Sequence, residues 1–390
     1  MRRPSTWATK ISQSVDKESV DMKMKLFAAA VAALAAGGAY AQSSVTLYGV
    51  ADVGLEYVNN ANAAGDDLFR MSSGNQSGSR WGLRGVEDLG GGLKGVFVLE
   101  SGFDLDTGSN ATSQGGRLFG RQAYVGLQSQ FGSLLLGRQQ TSFYDFGLQF
   151  DPMAISSRYG ILSQDSAFAS RADNTVKYIG KFGGLTASAF YSFNNNGQEV
   201  AGAFRRGQQY GALVSYAAGP FAVGAAYDEI HGSTTGTPPV DASGQRTRRA
   251  TVGANYAFGP AKVYAGYRWA KAFDGAALTG GTTVDNGVLT TSTASNLYWL
   301  GLGYQLTPAF SLSGAAYYQD FRKSEADPWQ FVITADYALS KRTDVYTSLS
   351  YTLNDKGSAL GVNGFNTATT TNVQANKDQF GAVVGLRHKF

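Results

Sequence analysis

From Ser43 to the final Phe390, side chains alternate in character one by one, in segments of about ten residues. A period of two is the signature of a β-strand, whose successive side chains point to opposite faces. About ten residues is also the length a tilted strand needs to cross a bilayer. In the last segment, QFGAVVGLRHKF, one stripe is Phe380, Ala382, Val384, Leu386, His388 and Phe390, apolar apart from the histidine. In the first, Val45, Leu47, Gly49, Ala51, Val53, Leu55 and Tyr57 fall on one face. Thr46, Tyr48, Val50, Asp52, Gly54 and Glu56 fall on the other. One face suits lipid and the other suits water.

The segments are 45–57, 79–88, 93–103, 117–128, 132–139, 171–180, 184–193, 207–218, 221–230, 248–258, 261–270, 296–306, 309–321, 329–339, 343–353 and 379–390. Their number is sixteen, and even. The connections alternate in length. Tight turns lie at 88–92, 129–131, 181–183, 219–220, 259–260, 307–308 and 340–342. Longer polar loops lie at 58–78, 104–116, 140–170, 194–206, 231–247, 271–295, 322–328 and 354–378. Short turns at one end and long loops at the other describe a transmembrane barrel with periplasmic and external sides. A β-sandwich has no reason to alternate its loops so regularly. Closure also removes strand edges, which lipid cannot hydrogen-bond. The expected fold is all-β: a 16-stranded antiparallel transmembrane β-barrel.

Composition agrees. The 50 Gly, 21 Tyr and 23 Phe suit short strands, tight turns and aromatic girdles. Mean hydropathy is −0.18, and no apolar run of about twenty residues marks a spanning helix. There is no Cys, which excludes disulfides and thiolate metal sites. The apparent basicity is misleading. Residues 1–41 hold six Lys or Arg and three acids, and the remainder carries 27 basic and 26 acidic residues. Nothing in that balance points to nucleic acid.

The segment 22–41, MKMKLFAAAVAALAAGGAYA, has a short basic start, eleven apolar residues and an Ala39-Tyr40-Ala41 cleavage site. It reads as a secretory signal peptide, with the mature chain beginning at Gln42. Residues 1–21 are polar and patternless and precede Met22 and Met24; they read as a mis-called extension. The domain expectation is therefore extension 1–21, signal 22–41 and barrel 42–390.

Sixteen strands enclose a lumen wide enough for water and small solutes. The loop 140–170 is the candidate for narrowing it. It is long and aromatic and carries Asp145, Asp151 and Asp165, so it is expected to fold against something rather than to stand in solvent. No enzymatic constellation appears. His231 and His388 are the only histidines, neither has Ser or Asp at a motif spacing, and no phosphate loop or metal-ligand cluster is present. No cofactor is expected.

The stretches SSVTLYGVADVGLEYV, SRWGLRGVEDLGGGLKGVFVLESGF, GRQAYVGL, GSLLLGRQ followed by Tyr144-Asp145, and the terminal VGLRHKF together resemble the general diffusion porins of Gram-negative bacteria, especially the trimeric porins of β-proteobacteria. The resemblance covers 42–390. It implies a water-filled outer-membrane channel for passive diffusion of small hydrophilic solutes and ions, and a homotrimer in contact with outer-membrane lipid and lipopolysaccharide. It also implies a terminal Phe390 that marks the chain for the barrel-assembly machinery, and an inward-folded third external loop carrying acids opposite a basic wall. By motif the loop acids are Asp145 and Asp151, and the wall residues are Arg80, Arg121 and Arg171. Strand parity adds Arg84 to the wall and Glu100 to the acidic side of the constriction. The family's Pro-Glu-Phe-Gly stretch is absent from the loop, and Val50 stands where some relatives have Lys. The expected selectivity is a mild anion preference. The alternatives are a substrate-selective channel, a barrel enzyme, or a secreted glycan-binding β-protein.

Overall fold

The computed structural model describes residues 44–110, 115–235, 240–285, 288–365 and 372–390. The expectations for residues 1–21 and 22–41 lie outside the described residues. The strands are β1 (Ser44–Val58), β2 in two pieces (Leu68–Ser73 and Arg80–Gly90), β3 (Leu93–Gly102), β4 (Gln122–Ser129), β5 (Gly132–Gln140), β6 (Arg171–Phe182), β7 (Leu185–Ser192) and β8 (Gln209–Ala218). They continue as β9 (Phe221–His231), β10 (Arg246–Phe258), β11 (Ala261–Phe273), β12 (Ala294–Gln305), β13 (Phe310–Phe321), β14 (Trp329–Ala338), β15 (Thr343–Leu353) and β16 (Gln379–Lys389). Each pairs antiparallel with its sequence neighbours, and β1 pairs with β16 from Val50↔Lys389 to Val58↔Gly381. The result is a closed barrel of sixteen strands.

Closure is tightest at the chain end. Gly49 N–H donates to Phe390 O at 2.9 Å and Phe390 N–H returns a bond to Gly49 O at 3.1 Å. A Cβ on Gly49 would strike the Phe390 ring, so glycine there lets the terminal aromatic lie flat on the wall.

The faces separate as alternation requires, because a one-residue slip would turn every strand inside out. Val45, Leu47, Val125, Leu300, Ile333 and Val384 project outward and exposed. Asp52, Glu56, Lys177, Asn255, Gln319 and Gln330 project inward and are buried. One piece of sheet differs from the sequence expectation. Leu68–Ser73, placed in the loop 58–78, pairs with the upper half of β1 from Leu68↔Val58 to Ser73↔Val53. Its alternation is short, and a polar insertion at 74–79 hides it from the sequence. That insertion curls over Asp52, whose carboxylate accepts from Gln76 N at 3.0 Å and Ser77 N at 2.8 Å. β4 starts at Gln122 rather than 117, although Arg121 N still reaches Glu100 O at 3.2 Å.

Candidate pore constriction

The connection between β5 and β6 carries helix α1 (Ser142–Phe150), the single turn α2 (Ile161–Gln164) and a 3-10 turn (Ser166–Ala169). Thr141 caps α1, its Oγ1 accepting from Tyr144 N at 3.4 Å. The helix is amphipathic, and Phe143, Phe146 and Phe150 are fully buried. They meet inward-facing wall residues: Phe146 lies 6.3 Å from Trp299, ring to ring, and Phe168 lies 6.0 Å from it. Polar contacts fix the register. Trp299 Nε1 donates to Phe150 O at 2.9 Å, and Asn255 Nδ2 donates to Gln149 O at 2.9 Å. Pro152 presses on Gly301, where a Cβ would collide with it. Farther on, Tyr159 donates to Glu56 Oε1 at 3.0 Å and Gln164 Nε2 to Gln330 Oε1 at 3.0 Å. The segment thus lines the inner wall from β10 through β14 to β1.

Three loop carboxylates are held differently. Asp145 Oδ2 stands 2.6 Å from Lys177 Nζ of β6. Burial lifts its pKa above the ordinary carboxylate range despite the attraction of that ammonium. Asp151, just past α1, accepts from Tyr317 Oη at 2.6 Å and from Ile155 N at 2.7 Å. Among the described residues no cation pairs with it, and burial raises its pKa to about 6. Asp165 Oδ2 lies 3.1 Å from Arg268 Nε and 3.4 Å from Arg249 Nε. Burial alone would raise its pKa, but the two guanidinium groups hold it below the usual value.

The basic wall gathers at β2–β6. Glu100 on β3 receives Arg121 Nε at 2.7 Å, Arg80 Nε at 3.6 Å and Tyr48 Oη at 3.0 Å. Arg171 stacks over the Tyr144 ring at 5.1 Å, within electrostatic range of Arg121, and its Nε has no hydrogen-bond partner among the described residues. Arg84 lies over Tyr48 at 5.3 Å, exposed and nearer the short-turn end. Arg138 and Arg117 share Asp173 at 2.6 and 3.0 Å.

Arg80, Arg121 and Glu100 are therefore brought together, and Tyr144 of the loop bridges to Arg171. One expected relation differs. Glu100 stands on the arginine wall itself, not on the acidic side, because β2 and β3 are hydrogen-bonded neighbours with Gly82↔Glu100 in register. The direct partners of Asp145 and Asp151 are Lys177 and Tyr317. Lys177, Arg138, Arg249 and Arg268 were not among the sequence candidates. For Lys177, Arg249 and Arg268 the signal was a cation on the water-facing parity of an otherwise small or polar stripe, as in Thr175-x-Lys177; Arg138 follows the outward Leu134 and Leu136 in parity, and the irregularity between Gly137 and Gln139 hides it.

A shared economy runs through the lumen: single acids serve two cations. Glu100 holds Arg80 and Arg121, Asp173 holds Arg117 and Arg138, Asp165 holds Arg249 and Arg268, and Glu56 holds Arg70 and Arg158. The Glu100, Asp173 and Glu56 clusters keep an excess positive charge, whereas Asp228, 3.5 Å from Arg249, balances the Asp165 cluster, and Arg387 between Asp336 and Asp344 is the reverse case.

The profile of the Gram-negative porin family matches residues 28–357. An outer membrane porin protein of Bordetella pertussis is 33% identical over 391 aligned positions, covering 87% of this chain and 98% of that one. Outer membrane porin protein 32 of Delftia acidovorans is 34% identical, covering 95% and 100%. Among solved structures, the anion-selective porin from Comamonas acidovorans superposes with a TM-score of 0.73 at 27% identity, over 90% of this chain and 100% of that one. A trimer form of OmpT from Vibrio cholerae shares the fold alone, with a TM-score of 0.59 and 18% identity over 89% and 99%.

Proposed function

The chain belongs to the Gram-negative porin family and forms an outer-membrane diffusion channel, and from that premise we propose that its constriction is basic and prefers anions. The observation that carries this reading is the cluster of Arg80, Arg121 and Arg171 around the single carboxylate of Glu100. Arg84 extends the track toward the short-turn end, and Tyr48 and Tyr144 hold guanidinium planes in place through their ring faces. Small anions would pass along this wall by exchanging one arginine for the next. The opposite wall is the loop, whose acids are neutralised or turned into the wall. The anion selectivity of the Comamonas relative supports the same direction.

The working unit is proposed to be a homotrimer, as in the trimer form of the Vibrio fold relative. A small outward residue on β1, Ala51, allows close packing between barrels. Phe390, outward and hydrogen-bonded to β1, is placed where an assembly factor could read the end of the last strand before closure. A liposome-swelling assay with size-matched anionic, neutral and cationic solutes tests the selectivity. The anion should enter fastest, and faster entry of the cation would refute the basic constriction.

A further inference from the structure

The second strand does not run unbroken along its partner. Val53 of β1 pairs with Ser73, and Val50 pairs with Arg80. Two residues lie between these pairs on β1 and six on β2, so β2 carries four residues more than its neighbour. An ordinary bulge adds one. An even excess returns the strand to the same parity, and Arg80 faces the lumen as Ser72 does. The excursion leaves and rejoins the wall at Asp52, an inward position: Gly74 N–H and Ser79 Oγ both donate to Asp52 O, at 2.7 and 3.0 Å. Its mouth is shut. A Cβ on Gly74, whose φ of +64° favours glycine, would lie 3.0 Å from Gly78 Cα.

The four extra residues, Asn75 to Gly78, touch both sides of the passage. Toward the loop, Asn75 O accepts from Arg158 N at 3.0 Å and from Ser156 Oγ at 3.2 Å. The buried Asn75 side chain accepts from Arg158 Nε at 2.7 Å through Oδ1, and Gly78 N donates to Ser157 Oγ at 3.1 Å. Toward the basic wall, Gly78 O accepts from Arg80 Nη1 at 2.9 Å, a closer partner than Glu100 at 3.6 Å. A Cβ on Gly78 would stand 2.9 Å from Arg121 Nη1. Behind them, Arg387 Nη1 of β16 donates to Ser77 Oγ at 3.0 Å.

We propose that Asn75–Gly78 is a second constriction element, a strap that ties the loop to the basic wall, with Gly78 as the positioning residue that aims Arg80. The inference rests on the reading of that wall as the constriction. The phenylalanines of α1 hold the loop from the far side of the lumen. The strap closes the remaining gap beside β1 and β2. Asn-Gln-Ser-Gly carries no charge, so it narrows the passage and orients a guanidinium without altering the charge that the passage presents. Without the Gly78 carbonyl, Arg80 regains rotamer freedom, and its charge is no longer held at one point of the wall.

The strap can be excised. Removing residues 75–78 joins Gly74 to Ser79, whose N lies 3.2 Å from the same Cβ position, and restores a continuous ladder from Ser73↔Val53 to Arg80↔Val50. No charged residue is lost. The test compares wild type, the excised chain and Asn75→Ala, in liposome swelling with neutral sugars of increasing size and in reversal potential at low salt. Excision should shift the exclusion limit to larger sugars and reduce the anion preference. Asn75→Ala cuts the side-chain clasp on Arg158 but keeps the Gly78 carbonyl, so it should shift the exclusion limit and leave the anion preference in place. Inserted channels report assembly directly. Unchanged exclusion limit or unchanged reversal potential in the excised pore would overturn the proposal. If the excised chain does not insert, an unchanged exclusion limit in Asn75→Ala overturns it instead. The Arg80→Gln/Arg121→Gln/Arg171→Gln pore separates the two readings. If it keeps the wild-type reversal potential, the basic constriction fails and takes the strap with it. If it shifts while the excised pore matches wild type, the strap alone fails.

Discussion

Asp151 is the residue on which loop and wall most visibly meet. Its carboxylate is buried, accepts from Tyr317 Oη and Ile155 N, and has no cationic partner among the described residues. Burial raises its pKa from 3.8 to about 6. A raised carboxyl pKa means the folded state holds the proton more tightly than the unfolded state. The contribution of Asp151 to loop docking is therefore fully present below about pH 4 and is lost as pH rises through about 6. A shift of this size is worth about 3 kcal/mol at full ionisation. We expect hydrogen exchange of the 141–169 amides to quicken across that window. Asp151→Asn can give its amide N–H to Tyr317 Oη and still accept from Ile155 N, so it should flatten the dependence. The same pH slope in the variant would show that another group is responsible.

At the scale of elements, the loop is a piece of hydrophobic core grafted inside a polar cylinder. Phe146 is fully buried against Phe150, Phe168 and Trp299, with ring centroids at 4.8, 6.3 and 6.3 Å. Phe146→Ala should cost about 3–5 kcal/mol of loop docking. The strands do not depend on that contact. Limited proteolysis should therefore cut within 141–169 in the variant while its barrel survives; equal protease resistance would mean the loop is held by its polar anchors alone. Much of this architecture could be read from the sequence. All sixteen strands announced themselves, because lipid on one side and water on the other impose a strict period of two. Leu68–Ser73 escaped because six residues carry little periodicity and the 74–79 insertion breaks it. The pairing of Asp145 with Lys177 and of Asp151 with Tyr317 was not legible either. Sequence fixes which face of β6 or β13 looks inward, but not where the loop comes to rest on that face.

For the whole molecule, closure and charge are separate matters. The barrel closes through β1 and β16, and the charge of residues 42–390 is nearly balanced at 27 basic and 26 acidic residues. Selectivity cannot come from net charge and must come from where the charges sit. The central claim is that the wall bearing Arg80, Arg121 and Arg171 around Glu100 governs ion passage. The direct measurement is reversal potential across a planar bilayer under a salt gradient, for wild type and for the Arg80→Gln/Arg121→Gln/Arg171→Gln variant. Wild type should give the sign of an anion-preferring pore, and the variant should move toward cations. The difference should be large near 0.1 M salt, where the screening length is about 10 Å, and should shrink toward 1 M, where it is about 3 Å. Coincident potentials for the two proteins at low salt would contradict the account, for these arginines would then not line the narrowest part of the pore.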